Sequence, residues 1–433
     1  MFFFWRLVLF IRLKKNKEDP KRTNERLGKA SDFALEKIEE YKNQQDTNNR
    51  NKKIAWIHAV SVGESLSVLN FIKTLTQNGW FVVMTTTTKT SAELMKNKLP
   101  ANAVHQYNPY PCSSYVKKFL KTWQPEKTFF VESEIFPNVV KILHKKNIPV
   151  YLLNARMSES SFKMWKKLKF YIKKTLKLYS CIFAQNEEEA EKFAILSDRL
   201  AKIKCLGNLK FDISDENKNE IVEKFETKEN ILQDVAKCKL LQQTIKQSNE
   251  NNKMIVFCSV HESEFFHLIW QYSHILKKTD CFGIFIPRYM EEVEKLQEIA
   301  KNNDLKPVLW SEFSGADTGN ILIVDAFGIA NYFYMICDVA VVCGNFANNI
   351  GGHNPIEPIV LEKPTIVGQY CHKCKNVVSC LLKKEAVIQT KDLGSDLMKM
   401  IKNEKIVKEL VKNGKAFLQE NKGATKRIFD DIF

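Results

Sequence analysis

At 433 residues the chain is long for one hydrophobic core and ample for two, and a composition 44% hydrophobic and 27% charged excludes a disordered or fibrous polymer. The net charge of +16 calls for an anionic partner, for which nucleic acid, acidic phospholipid and phosphorylated glycolipid all qualify on charge alone. Eleven cysteines in a chain of this size argue against a disulfide framework: Cys181, Cys258, Cys281, Cys337 and Cys343 sit singly in apolar runs, as reduced thiols of a cytosolic protein do. Cys371 and Cys374 alone form a C-x-x-C, with His372 between them and no second ligand pair at zinc spacing.

The first seventeen residues, MFFFWRLVLFIRLKKNK, are a dense apolar and aromatic block that carries Arg6 and Arg12 and turns basic at Lys14, Lys15 and Lys17. The block is shorter than the ~20 apolar residues that span a bilayer, and no small-residue cleavage site follows it. Residues 1–20 are therefore expected to form an anchor segment lying on an anionic membrane surface. Packing of the block on its own domain is the competing expectation. Thr23 to Tyr41 reads as a helix and the polar run Asn43 to Lys53 as an exposed connector.

Strand and helix patterns then alternate. IAWIHAV (54–60), WFVVMTTTT (80–88), KTFFVES (127–133), IPVYLLN (148–154) and YSCIFAQN (179–186) read as strands, SVGES as a loop, and Leu66 to Asn78 as a helix. A polar stretch over about 216–253 reads as a joint. KMIVFCSV (253–260), CFGIFIPR (281–288), NILIVDAF (320–327), DVAVVCG (338–344) and KPTIVGQ (363–369) repeat the rhythm before a helical, lysine-rich tail. Unbroken apolar strands alternating with helices predict parallel sheets, and two such runs predict an α/β fold of two Rossmann-like lobes with a ligand cleft between them. No P-loop signature occurs.

The chemistry-bearing residues fall at strand ends. Glu64 in HAVSVGES follows the first strand, where a carboxylate can take a proton from a hydroxyl; taken alone, it reads more readily as a first-turn glutamate that complements a helix dipole. In VESEIFPN, Glu132 and Glu134 stand two apart, on one side of an extended chain, able to hold sugar hydroxyls, to raise one another's pKa or to pair with Arg156 of NARMSES. Lys210 of GNLKFD, Ser259 and His261 of CSVHESE and Arg288 of PRY are cations, a hydroxyl and an imidazole suited to an anionic nucleotide. CGNFANNIGGHNPIEP (343–358) leaves a buried strand with three glycines, and its amides and the helix expected from Pro355, with Asn354 as N-cap, suit a donor phosphate. FKMWKKLKFYIKKTLKLY (162–179) interleaves lysines with aromatic and leucine residues, as a basic amphipathic helix near a membrane does and as a core helix with a solvated lysine face also does.

Taken together and in this order, SVGE, VESEIFPN, NARMSES, GNLKFD, SVHESE, PRY and GGHNPIEP closely resemble the 3-deoxy-D-manno-octulosonic acid (Kdo) transferases of lipopolysaccharide assembly, from about Asn24 to the end of the second lobe. The resemblance implies a GT-B, inverting glycosyltransferase that moves Kdo from CMP-Kdo to the lipid A precursor at the cytoplasmic face of the inner membrane. It implies Glu64 as general base, with Glu132 and Arg156 near the acceptor or the sugar, where Ser61, Gly63 and Glu134 are also expected. Arg288, Asn354 and Glu357 match CMP-binding positions, Glu357 on the ribose, and the expected donor site also includes Lys210, Ser259, His261, Gly328, Gly351, Gly352 and His353. Expected lobe boundaries are 21–215 and 216–433, with the last helix returning to the first lobe. Cys258 stands where glycine is usual, Tyr289 where histidine is, Phe136 where tryptophan is, and Ile329 where an acid is.

A CMP-sugar carries one phosphate, whose leaving charge Lys210, Arg288 and loop amides can meet, and no Asp-x-Asp occurs, so neither metal nor cofactor is expected. A GT-B enzyme using a UDP-sugar and a membrane lipid acceptor is the nearest alternative reading. The basic residues form no recognisable nucleic-acid-reading motif, so no nucleic-acid partner is expected.

Overall fold

The computed structural model describes residues 2–46, 53–212 and 233–433. The chain divides into two compact units, Met1–Asp212 with Asn421–Phe433, and Ile213–Glu420. The connector expected over 43–53 lies mostly outside the described residues, as does the first half of the polar joint.

The first unit is built on a seven-stranded sheet of β1 (Ile54–His58), β2 (Phe81–Thr86), β3 (Ala103–Tyr107), β4 (Lys127–Val131), β5 (Val150–Ala155), β6 (Cys181–Ala184) and β7 (Ile203–Cys205). All pairings are parallel and the order is β3-β2-β1-β4-β5-β6-β7. The chain winds outward from β1 to β3, then restarts at β4 on β1's other side, Ala55 lying opposite Lys127. Successive residues serve opposite faces: Trp56, Phe81 and Phe130 enter one apolar core and Ala55, Ile57 and Phe129 the other. Central strands covered on both sides must be apolar throughout, which is why they were legible as unbroken runs.

The second unit repeats the plan with β8 (Lys253–Val260), β9 (Cys281–Pro287), β10 (Pro307–Leu309), β11 (Ile321–Ile323), β12 (Val339–Val342), β13 (Thr365–Val367) and β14 (Ile388–Gln389). Its parallel order is β10-β11-β9-β8-β12-β13-β14, so the reversal falls between β8 and β12. In each unit, then, the strand order reverses beside the first strand, where the carboxyl ends of neighbouring strands diverge and leave a crevice.

Several elements differ from the sequence reading. The supposed joint contains a helix, Gln233–Ser248, whose Val235, Cys238, Leu241 and Ile245 are buried on one stripe of an otherwise polar segment. SVGES is not a loop: Ser61 caps a helix that runs Val62–Ser67, followed by a second over Leu69–Gln77. The helix expected from Pro355 is the short Ile356–Val360, with Asn354 Oδ1 accepting from Ile356 N at 3.2 Å. Residues 421–433 join the first unit, where Asp212 accepts from the amides of Gly423 and Thr425 at 2.7 and 2.6 Å.

The N-terminal helix Phe2–Lys14 docks on the first unit by one face. Trp5 stacks on Tyr110, Leu9 is buried, and Glu18 accepts from Arg12 and from the buried Arg26 at 2.6 and 2.9 Å. Its other face stays bare: Phe4, Leu7 and Phe10 are 58%, 57% and 53% exposed. Among the described residues no helix is long and apolar enough to cross a membrane.

Candidate functional site

At the reversal point of the first unit, β1 hands the chain to a capped helix. Ser61 Oγ accepts from Glu64 N and donates to Glu64 Oε1 at 3.0 Å, while Glu64 Oε2 accepts from Val60 N at 2.8 Å. The S-x-x-E spacing is that of a capping box, which fixes the carboxylate above the end of the strand. Glu64 is thus a first-turn residue, half-buried rather than loop-borne. Burial, then the nearby charge of Glu132, raise its pKa above 4.5, against the opposing bonds from Val60 and Ser61 and the charge of Lys210.

The neighbouring strand β4 is followed at once by Glu132, whose φ of 57° turns the chain sharply. Glu132 and Glu134 therefore do not share the face of an extended strand as expected. Glu132 is buried and lies between two cations, with Arg156 Nε at 3.0 Å on one oxygen and Lys210 on the other. Glu134 has its pKa pushed up to about 7 by burial, then by the charges of Glu64 and Glu132. Three carboxylates and two cations thus cluster over the carboxyl ends of β1 and β4.

Lys210 reaches this cluster because the segment after β7 turns back across the sheet. Asn154, buried at a bulge of β5 with φ 53°, accepts from Leu209 N at 3.0 Å, and Asn208 Oδ1 accepts from Lys210 N at 2.9 Å. Lys210 was expected with the donor group; its ion pair is with Glu132 of the first unit. Gly63, exposed beside Glu64, has open space where a side chain would stand.

In the second unit, β8 carries a bulge at Ser259, φ 60°, before His261. His261 Nε2 and His353 Nε2 lie 2.8 Å apart with nearly coplanar rings, so one imidazole donates and the other accepts. Burial lowers the pKa of both, with Arg288 and Lys373 acting in the same direction and His353 reaching about 4. These four groups and the glycine loop therefore form one cationic neighbourhood at the second reversal point. Gly344, φ 81°, admits the His353 ring, which a side chain there would meet at 2.5 Å. Gly328, φ 86°, lies on the loop after β11 beside an exposed Phe327. Asn354 and Glu357 are exposed at the start of the short helix.

Among the described residues no cluster of three or more His, Cys, Asp or Glu could hold a metal ion.

A family model described as 3-Deoxy-D-manno-octulosonic-acid transferase (kdotransferase) matches residues 21–213. The 3-deoxy-D-manno-octulosonic acid transferase of Rickettsia typhi is 30% identical over 432 residues, covering 92% of this chain and 88% of its own. The chain belongs to this family. The Kdo transferase of Rickettsia bellii is 29% identical over 437 residues, covering 98% of this chain and 94% of its own. Two solved structures show likeness of fold alone. UDP-GlcNAc 2-epimerase from Neisseria meningitidis is 12% identical with TM-score 0.57, covering 88% of this chain and 99% of that one. A glycosyltransferase from Rickettsia africae is 14% identical with TM-score 0.56, covering 88% and 98%. Both agree with a GT-B-type architecture of two α/β units on parallel sheets.

Against the Kdo transferase pattern, Phe136 packs between His58 and Phe130, each ring centre 5.5 Å away, so the smaller ring still fills the place of tryptophan. Ile329 is buried in the second unit's core, an apolar contact where an acid is usual. Tyr289 is exposed and meets His261 edge-on, and Cys258 is buried beside Ser259. Sequence reasoning missed the residues that hold the loops in place. Glu264, buried, accepts from His261 N, Gly344 N and Phe346 N at 3.1, 2.9 and 2.9 Å, and Asn345, buried, bridges to Gly368 and Tyr370. The H-x-x-E spacing of His261 and Glu264 was the available signal, a capping-box pattern with an unusual cap.

Proposed function

We propose that this Kdo transferase moves Kdo from CMP-Kdo to a lipid A precursor with inversion at the anomeric carbon, Glu64 acting as general base. The observation that carries this reading is the carboxylate cluster at the first reversal point. One member, Glu132, is neutralised by Lys210 and Arg156, while Glu64 and Glu134 hold protons more tightly than free carboxylates. A base is more effective when its pKa approaches the working pH. Each Glu64 oxygen accepts a single bond from its cap, and a carboxylate has about four lone-pair sites, so a substrate hydroxyl can still be accepted.

In this reading the second unit holds the nucleotide. Arg288, Lys373 and the loop amides meet the charge that builds on the departing CMP phosphate, and Asn354 and Glu357 take the ribose end. Arg156 and Lys210 order Glu132 and lend positive charge near the reacting sugar. The membrane partner is an anionic surface at the cytoplasmic face, met by the bare apolar face of Phe2–Lys14 with its basic end. It is also met by Met164, Leu168 and Phe170, exposed among lysines although Phe162, Trp165, Ile172 and Leu176 of the same segment pack inward.

The test is incubation of the purified chain with CMP-Kdo and lipid A precursor, reading the mass of the lipid product, with CMP and UDP as competitors. Gain of Kdo with competition by CMP is expected; inhibition by UDP alone would favour a UDP-sugar donor. Glu64→Gln should still bind CMP-Kdo and lose about 10²–10⁴ in rate, and near-normal turnover would remove the base. Arg288→Ala should weaken CMP binding, and unchanged affinity would remove that contact.

A further inference from the structure

Cys371 and Cys374 have no part in the reaction as read above. They bracket a tight turn after β13, with Cys374 N donating to Cys371 O at 3.0 Å. Such a turn brings the two Cα atoms within about 7 Å, near the span a disulfide requires. Both thiols are buried at the edge of the fold, while His372 and Lys373 between them are exposed. A hydrogen bond from Cys374 holds the Cys371 thiol below its usual pKa in spite of burial, with help from Gln389. Cys371 Sγ in turn donates to Gly368 O at 3.1 Å.

This turn is the bed on which the diglycine of the loop lies. Lys373 N donates to Gly351 O at 2.8 Å, and the His372 ring occupies the space a side chain on Gly351 would need, 2.3 Å away. Cys374 Sγ stands 2.9 Å from where a Gly352 side chain would begin. Gly352 N then donates to Gly344 O at 2.6 Å, and His353 follows directly. Cys374 Sγ thus lies against the residue that precedes His353 of the imidazole pair.

We propose that Cys371 and Cys374 are a reversible dithiol–disulfide site that answers to small disulfides such as glutathione disulfide and, when closed, loosens the glycine loop. Cys371, as its thiolate, attacks one sulfur of the small disulfide, forming a mixed disulfide and releasing one thiolate. Cys374 gives up its proton and attacks the Cys371 sulfur, expelling the second thiolate. Two protein thiols and one small disulfide become one protein disulfide and two small thiols, the electron pair leaving with the latter. The new bond is only about 2.05 Å long, far shorter than a contact between hydrogen-bonded thiols. Closure draws Cys374 off Gly352 and removes the Cys371 bond to Gly368, so the loop loses its bed. That this loop is the donor's rests on the function proposed above; the sulfur chemistry does not.

The test equilibrates the full chain in glutathione buffers from reducing to oxidising, then quenches, alkylates and digests it. The expected result is an internal Cys371–Cys374 disulfide, reversed by dithiothreitol, with faster backbone hydrogen exchange over residues 344–354. CMP binding should weaken by roughly tenfold, the equivalent of about 1.4 kcal/mol. Cys371→Ser and Cys374→Ser should each bind CMP like the reduced wild type and ignore the buffer. Absence of the disulfide at every ratio, or its formation with loop exchange unchanged, overturns the proposal. If the disulfide forms and the loop responds but the reduced chain binds no CMP, the redox site stands and the donor assignment falls.

Discussion

Glu134 offers a quantitative check on the carboxylate cluster. In the folded chain its carboxyl ionises near pH 7, against an ordinary value of 4.5, because it is half-buried and faces Glu64 and Glu132. A group that binds its proton more tightly when folded stabilises the fold below its unfolded pKa and loses that contribution as pH rises through the folded one. From about pH 4.5 to 7 the first unit should therefore lose about 3 kcal/mol through this residue alone. Glu134→Gln keeps the shape and cannot ionise. Calorimetry at pH 5 and pH 8 reads the difference. At pH 5, where about 0.8 kcal/mol is already lost, the variant should melt only about 2–3 °C higher. At pH 8 the variant's first-unit transition should lie higher by roughly 6–12 °C, the range for about 3 kcal/mol in a unit of this size. Equal separation at the two pH values, or a variant less stable at pH 8, would refute the crowding of charge on which the site reading depends.

Lys210→Met should leave the buried Glu132 with Arg156 as its remaining partner, costing about 3 kcal/mol by denaturant unfolding; a neutral result would mean that the Lys210 ion pair does not hold in solution. Phe4→Asp and Phe10→Asp, on the bare face of the N-terminal helix, should each reduce sedimentation with anionic vesicles by roughly thirtyfold at about 2 kcal/mol per side chain, without changing CMP binding; unchanged partition would assign that face another role.

The strands that the sequence made plain are those in the middle of each sheet. IAWIH, FVVMTT, KMIVFCSV and VAVV are covered on both faces, and a strand with no wet side can hardly be polar. The strands left unread, β3, β7, β10 and β14, are the four sheet edges. Three of them have two or three residues, and the fourth, AVHQY, has His105 and Gln106 within it, so neither length nor hydropathy marks them. The helix Gln233–Ser248 escaped notice because four apolar residues carry its packing in a segment rich in lysine and glutamine. At the candidate site, Glu64, Glu132 and Lys210 could be picked out as residues. Their partnership could not: it depends on Asn154 folding the GNLKFD turn back over β5, a contact between positions 55 residues apart. Glu132 was misread for a related reason, since a left-handed backbone at a glutamate leaves no trace in composition.

The bond between Gly423 and Asp212 joins positions 211 apart, and between them the ribosome must make the entire second unit. Ala424 and Ile428 fill the first unit's core beside Phe71 and Leu75, and Phe433 meets Trp80 edge-on. The half that is translated first therefore waits for a late helix before its greasy flank is covered. Nascent chains paused within residues 233–420 will display that flank to chaperones and proteases, whereas the second half can close as soon as it leaves the tunnel.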